Sequence, residues 1–409
     1  MSTPAFPTRI GFEQAASLLD AVAAAARLPV ESRSVSRCLG AVLAEDVVAA
    51  ICLPGFDNAA MDGFAVRAND TAQSGATLDL VGSQFAGRDQ GHRVGAGECL
   101  RITTGAPLPA GADAVVMKED VRVLGNRVVL SGPARPGQHV RRAGEDVAIG
   151  DRVLAAGEVL TPGALGLAAA LGRATLPVHR RPTVAVFTTG DELVPAGQPL
   201  QPGQIHDSNR VLLQSLLLAD GYEPVAWPVL PDDEAHVAAA LRDAAFSFDV
   251  VITCGGVSAG ERDLLPDFLA REGTVHFWKV RMRPGMPLLA GRLGDAQLLC
   301  LPGNPVSVLA TYLTLGRRLL DGMQGRLTPR PRWQARLASD FDKRHDRLEF
   351  LRGRLQSDGA GGLQVQPDPA DGSHRLRAVA QSDALIVLAE GARHFSAGAV
   401  VDVLPLGRD

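Results

Sequence analysis

Four short loops, each placed just after a run that reads as a buried strand, constrain this chain more than any other feature. They are Thr188-Thr189-Gly190-Asp191-Glu192, Pro231-Asp232-Asp233, Cys254-Gly255-Gly256-Val257-Ser258-Ala259-Gly260 and Pro302-Gly303-Asn304-Pro305-Val306-Ser307. The strand-like runs before them are 183–187, 250–253 and 297–301, with a weaker one at 226–230. A further run lies at 275–280, and helical stretches fall at 208–219, 233–246, 263–271 and 305–321. Strands separated by helices of this length predict a parallel sheet covered on both faces. In such a sheet the carboxyl ends of the strands form the ligand crevice. Glycines there let backbone N–H groups approach phosphates, and carboxylates can hold a hard cation. The four loops together point to a site for an anionic, phosphate-bearing ligand.

The rest of the chain has a different texture. Residues 11–28 read as an amphipathic helix ended by Pro29, and 35–43 as a second helical stretch. From 50 to 140, short β-like runs at 77–81, 114–117 and 127–130 alternate with Gly, Pro and Asp turns. Thr161-Pro162 reads as the N-cap and first residue of a helix ending near Gly172. After residue 330 the β texture returns, at 333–339, 347–355, 384–388 and 399–404. The expected fold is multidomain, α/β plus β. It comprises a discontinuous helical unit (1–49 and 141–180), an inserted β-rich unit (50–140), a central βαβ parallel-sheet unit (181–328) and a C-terminal β unit (329–409).

Bulk properties exclude several classes. The formal charge of −4 gives no basic footprint for nucleic acid, and aromatics at 4% leave little for base stacking. Five scattered cysteines, with no C-x-x-C pair, argue against a disulfide framework or a zinc site. No run approaches a membrane span and no signal-peptide pattern opens the chain, so a cytoplasmic location is expected.

Each motif has a bland alternative. The Gly255–Gly260 segment is neither a P-loop nor a dinucleotide fingerprint, and alone it is as much a tight turn as an anion cradle. Asp263, shortly after it, favours the cradle because it could hold Mg²⁺. Asp191-Glu192 alone reads first as a solvated loop, and Asp232 as an N-cap for helix 233–246. Asn304 and Pro305 read as N-cap and N1, leaving free N–H groups at the helix start. Lys279, Arg281 and Arg283 alternate, so a strand would turn all three to one side, as an oxyanion face or a solvated edge. His206, His276 and His374 are separate in sequence and read as structural or surface residues.

Six motifs then converge in order: FDNAAMDG (56–63), RITTGAP (101–107), GED (144–146), TTGDEL (188–193), GGVSAGERD (255–263) and LPGNPVS (301–307). Over essentially its whole length the chain resembles the molybdopterin molybdenumtransferase (MoeA) family, to which the C-terminal domain of gephyrin is related. The resemblance implies a homodimer of four-domain subunits with the active site shared between them. It also implies Mg²⁺-dependent insertion of molybdate into adenylylated molybdopterin, with release of AMP. Glu192, Asp232 and Asp263 match the family's acidic residues, Glu192 and Asp263 being the metal candidates. Lys279 matches its basic residue, with Arg283 close by. Asp62, Thr104 and Asp146 match positions acting from the partner subunit. Thr189, Gly190, Asp191, Gly255, Gly256 and Ser258 fall in the loops expected to hold the pterin nucleotide, and Pro302, Gly303, Asn304, Pro305 and Ser307 in the proline loop. Arg352 and Ser373 match a molybdate-binding pair. Implied partners are molybdopterin-AMP, molybdopterin adenylyltransferase, and apo-molybdoenzymes or their chaperones.

One departure stands out. Where the family often has Lys-Pro-Gly-Lys-Pro, this chain reads Arg283-Pro284-Gly285-Met286-Pro287, which puts oxyanion affinity and the choice between molybdate and tungstate in question. Two other functions stay open at this level. One is a molybdopterin adenylyltransferase, since 183–325 resembles that fold. The other is a non-catalytic, gephyrin-like scaffold.

Overall fold

The computed structural model describes residues 6–257, 264–368 and 372–407. The runs that are apolar at nearly every position become the centre of the large sheet, as a strand covered on both faces must. Val184–Thr188, Val250–Cys254 and Ala296–Leu301 are buried along their whole lengths. They pair in parallel, Val184 against Val250 and Val250 against Gln297. Val225–Ala226 extends this half as a parallel edge, and Leu230 bridges Thr189 beyond it.

The other half of this seven-stranded sheet is antiparallel. Leu289–Leu293, a strand the sequence reading did not pick out, pairs with both Ala296–Leu301 and Thr274–Val280. Its turn is the two-residue Gly294-Asp295, with Gly294 at φ +58°. The far edge is Thr8–Ile10, parallel to Thr274–Val280. Helices cover both faces. Ser208–Ala219, Pro305–Thr311 and Arg317–Met323 share one core, whereas Glu234–Ser247 and Leu265–Glu272 share the other.

Several expectations need correction. Residues 8–25 do not pack with the discontinuous helical unit. Ile10, Leu19 and Ala23 belong to the large-sheet core, alongside Val186 and Leu320. Residues 35–43 are not a helix. One 3₁₀ turn, Val35–Arg37, gives way to Gly40 at φ +69° and then to β-bridges from Val42 and Leu43. The helix expected over 305–321 is split by a wider π turn at Tyr312–Gly316.

Around this sheet sit smaller units. Val30–Ser34 pairs with Thr175–His179, and Cys38, Leu43, Leu154, Leu160 and Val178 form one core from both sides of the insert. The insert carries a six-stranded sheet over its own core of Phe64, Leu78, Cys99 and Val128. At the C-terminus, five strands close on themselves, because Leu348–Ser357 pairs with both Leu363–Pro367 and Ala384–Leu388. Met282–Arg283 joins this barrel as an extra parallel strand, Met282 against Leu348 and Arg283 against Glu349. Among the described residues, no helix is long and apolar enough to cross a membrane.

Candidate functional site

At the carboxyl ends of the parallel strands lies a cavity of about 1100 Å³, closed on its other side by the C-terminal barrel. Its lining brings together Thr189, Gly190, Glu192, Asp232, Gly255 and Gly256 from the first three loops. Pro302, Gly303, Asn304, Pro305 and Ser307 come from the fourth loop, Arg283 from the extra strand, and Arg352 and Ser373 from the barrel. Ser258 and Asp263 lie outside the described residues.

The backbone angle calls for glycine at both Gly190 and Gly255, and at Gly255 space does as well. Gly190 sits at φ +144°, and a Cβ there would fall 2.5 Å from Glu192 Oε2, so the carboxylate folds back over the bare α-carbon. Gly255, at φ +105°, passes so close to Thr189 that a Cβ would lie 2.6 Å from its hydroxyl.

Asp232 is not the cap of the following helix. Asp233 takes that role, accepting the N–H of His236 at 2.9 Å, which leaves the Asp232 side chain at the cavity. Asp191 does not line the cavity. Its Oδ1 accepts the N–H of Asp232 at 3.1 Å, so it shapes the neighbouring acidic loop. Besides Asp207, which Thr188 and Arg210 hold, Glu192 and Asp232 are the described carboxylates on this side, hard oxygen donors of the kind Mg²⁺ takes alongside phosphate oxygens and water. Among the described residues, no group of three or more His, Cys, Asp or Glu could hold a metal by itself.

Asn304 also departs from expectation. It stands at the N-cap position, but its side chain does not cap. Its Nδ2 donates instead to Ser373 Oγ at 2.8 Å, and the N–H of Val306 donates to Ser373 O at 3.0 Å. The helix start is therefore tied to the barrel rather than left with free N–H groups.

The expected row of cations is broken. Lys279 adopts φ +68°, which ends the alternation, and its Nζ lies 3.8 Å from the Trp278 ring centroid. It does not line the cavity, whereas Trp278 Nε1 donates to Val257 O at 3.0 Å and so touches the glycine loop. Arg281 turns to Asp346 and Glu390. Only Arg283 reaches the cavity, with Glu349 3.7 Å away.

Sequence reasoning missed several lining residues. Asp207 is buried, accepts the Thr188 hydroxyl at 2.6 Å and is bound by Arg210 Nε at 3.1 Å. Asn209 Nδ2 holds the proline loop through Gly303 O at 2.6 Å. His206 and His374, read as structural or surface residues, both line the cavity, as do Arg347 and Glu349. A capping pattern was the only signal for Asp207. Arg347 and Glu349 had none, because only tertiary folding brings the barrel to this wall. Burial pushes the Cys254 thiol well up, so it stays protonated beside the cavity.

Asp62, Thr104 and Asp146 gather elsewhere, on the insert and its flanking loops. Asp62 Oδ1 accepts both the N–H and the hydroxyl of Thr104, at 2.8 and 2.9 Å. These bonds hold the exposed carboxyl below the usual carboxylate range, the N–H having the larger effect. Asp57 accepts the N–H of Ala143 and Arg142 Nη1, while the N–H of Asp146 donates to Leu53 O at 3.0 Å. The three first-half motifs are thereby stitched into one exposed surface.

Three family models match consecutive stretches: the MoeA N-terminal region (domains I and II) over 10–172, a probable molybdopterin binding domain over 185–322, and the MoeA C-terminal region (domain IV) over 334–406. A molybdopterin molybdenumtransferase of Haemophilus influenzae is 41% identical over 367 residues, covering 89% of this chain and 91% of its own. Molybdopterin molybdenumtransferase 2 of Mycobacterium tuberculosis is 40% identical over 380 residues, covering 90% and 93%. A solved MoeA molybdopterin biosynthesis protein of Pyrococcus horikoshii superposes with a TM-score of 0.81 at 28% identity, covering 96% of this chain and 99% of that one. With this agreement along its full length, the chain belongs to the molybdopterin molybdenumtransferase (MoeA) family, enzymes of molybdenum cofactor biosynthesis.

Proposed function

We propose that this chain inserts molybdenum from molybdate into adenylylated molybdopterin and releases AMP in a Mg²⁺-dependent reaction. The observation that carries this reading is the division of one cavity between two chemistries. Glycines and carboxylates stand on the α/β side, and Arg352, Arg283 and Ser373 stand on the barrel side. The first set suits a pterin nucleotide, and the second a tetrahedral dianion met by charge-assisted hydrogen bonds. Gly255 and Gly256 give the nucleotide phosphates close backbone approach.

Glu192 and Asp232 would hold Mg²⁺, with Asp263 as the third carboxylate of the expected set. When bound, the ion neutralises charge that develops on the phosphates. Arg283 supplies further positive charge. Water adds across the phosphoanhydride and AMP leaves. Two sulfur–molybdenum bonds form, and one oxo group departs as water with the two protons of the dithiol. No protein sulfur is needed.

Asp62, Thr104 and Asp146 lie away from this cavity within one chain, which supports a homodimer whose partner brings them to it. A cytoplasmic location accords with this reading. The test is AMP release from adenylylated molybdopterin with Mg²⁺, with and without molybdate. Molybdate-dependent release is expected. Tight binding with no release would favour a scaffold, and synthesis of the adenylyl bond from ATP would favour an adenylyltransferase.

A further inference from the structure

The barrel wall of the cavity contains a cation that neither the motifs nor the proposed reaction assigns. Arg347 is half-buried and lines the cavity. Its guanidinium lies against a thioether, Met286 Sδ, 3.8 Å from Nη1, and among the described residues no carboxylate lies within ion-pair distance of it. A guanidinium drawn partly out of water without a counter-charge costs free energy that nothing else in this wall repays.

The wall nevertheless holds the residue firmly in place. Lys343, buried to 3% exposure, donates from Nζ to His345 O at 2.8 Å and to Gly391 O at 3.0 Å, which fixes the turn leading into Arg347. Two residues on, Glu349 is buried and takes up Arg283, its register partner across the parallel pair. Its other oxygen lies 3.1 Å from His345 Nε2 without hydrogen-bond geometry. Glu349 is thus committed to Arg283 and Asp346 to Arg281, and Arg347 is left lining the cavity. Arg283, Arg347 and Arg352 all line this end of the cavity, a gathering of guanidinium groups that complements a dianion.

We infer that Arg347 is an anion-binding residue of the site, supplying from the barrel the positive charge that the neutral Met286 does not provide. This rests on the reading of the Arg352–Ser373 end as the molybdate subsite. Met286 Sδ lies 3.8 Å from Arg347 Nη1, so a cation at 286 would stand beside the Arg347 guanidinium and could charge the same end of the cavity in its stead.

The experiment is calorimetric titration of sodium molybdate into the full-length protein, with thermal unfolding of each variant as a control for folding. Arg347→Gln is expected to weaken molybdate binding about tenfold, the worth of one charge-assisted contact. Arg347→Lys should retain most of the affinity, and adding Met286→Lys to Arg347→Gln should restore it. Arg352→Ala serves as the reference for the subsite. If Arg352→Ala abolishes binding while Arg347→Gln stays within about twofold of the parent, the inference about Arg347 is wrong and the subsite stands. If neither variant changes binding, the molybdate subsite itself is misplaced and the inference falls with it. Failure of Met286→Lys to restore a weakened Arg347→Gln would show that position, not charge, is what Arg347 provides, and would overturn the interchange.

Discussion

At Gly255 a single methyl group would meet the Thr189 hydroxyl at 2.6 Å and the Thr189 carbonyl oxygen at 2.9 Å, on a backbone already at φ +105°. Gly255→Ala is expected to cost about 1–3 kcal/mol and to weaken nucleotide binding, read by thermal unfolding and ligand titration. Unchanged binding would mean that the loop is not the cradle. Asp62 carries a prediction about pH. Its carboxyl is held low by Thr104, so its charge persists as pH falls below the ordinary aspartate range. Thr104→Ala keeps the N–H and removes only the hydroxyl, so it should move the titration part of the way upward, as carboxyl-carbon NMR would record, and an unmoved titration would leave the N–H as the bond responsible. The residue scale also shows where sequence reading stops. Glycine and carboxylate types at strand ends were legible because strand and loop chemistry are local. Asp232 and Asp233 were not separable, since either can cap a helix and only the backbone path chooses. Asn304 looked like a cap because its true partner, Ser373, lies in another part of the fold.

Asp220 closes the helix Ser208–Ala219 and joins several elements at once. It accepts Arg317 Nε at 2.7 Å, Arg330 Nη1 at 2.9 Å and the Tyr312 hydroxyl at 2.7 Å. Burial alone would raise its carboxyl, but the bond from Arg317 and the charge of Arg330 outweigh it and hold the group below the usual range. Asp220→Asn would leave Arg317 without a carboxylate, Arg330 keeping Asp321, and is expected to cost about 3–5 kcal/mol. Because the folded carboxyl is held low, this contribution is complete above the unfolded aspartate value and fades as pH falls through the folded one. The gap in unfolding temperature between parent and Asp220→Asn should therefore narrow in acid, and a gap constant with pH would place the effect in packing. At this scale the sequence was uneven. Helix 208–219 was legible to the residue, because its cap and apolar spacing agree. The π turn at Tyr312–Gly316 was invisible, since apolar residues continue through it. Leu289–Leu293 escaped because a short apolar run beside a two-residue hairpin gives no crossover signal.

For the whole molecule, the separation of Asp62 and Thr104 from Glu192 predicts complementation. Mixing inactive Asp62→Asn and Glu192→Gln proteins by subunit exchange should recover about a quarter of parental activity, because half of the dimers would be mixed and each would keep one intact site. No recovery would place both acids in a site made by one chain. Such an arrangement cannot be read from spacing, which reports neighbours along a chain and not between copies. The order of the six motifs revealed the family, whereas the barrel wall, with Arg347 and Glu349, emerged only from tertiary packing. That wall is fastened to the α/β unit on two sides. The pairing of Met282–Arg283 with Leu348 and Glu349 holds one, and the bonds from the N–H of Val306 and from Asn304 Nδ2 to Ser373 hold the other. A gap whose jaws are clamped together in this way behaves as a caliper. It selects by end-to-end length as well as by charge, so a ligand bearing the right groups at the wrong spacing would engage one jaw or the other, but never both.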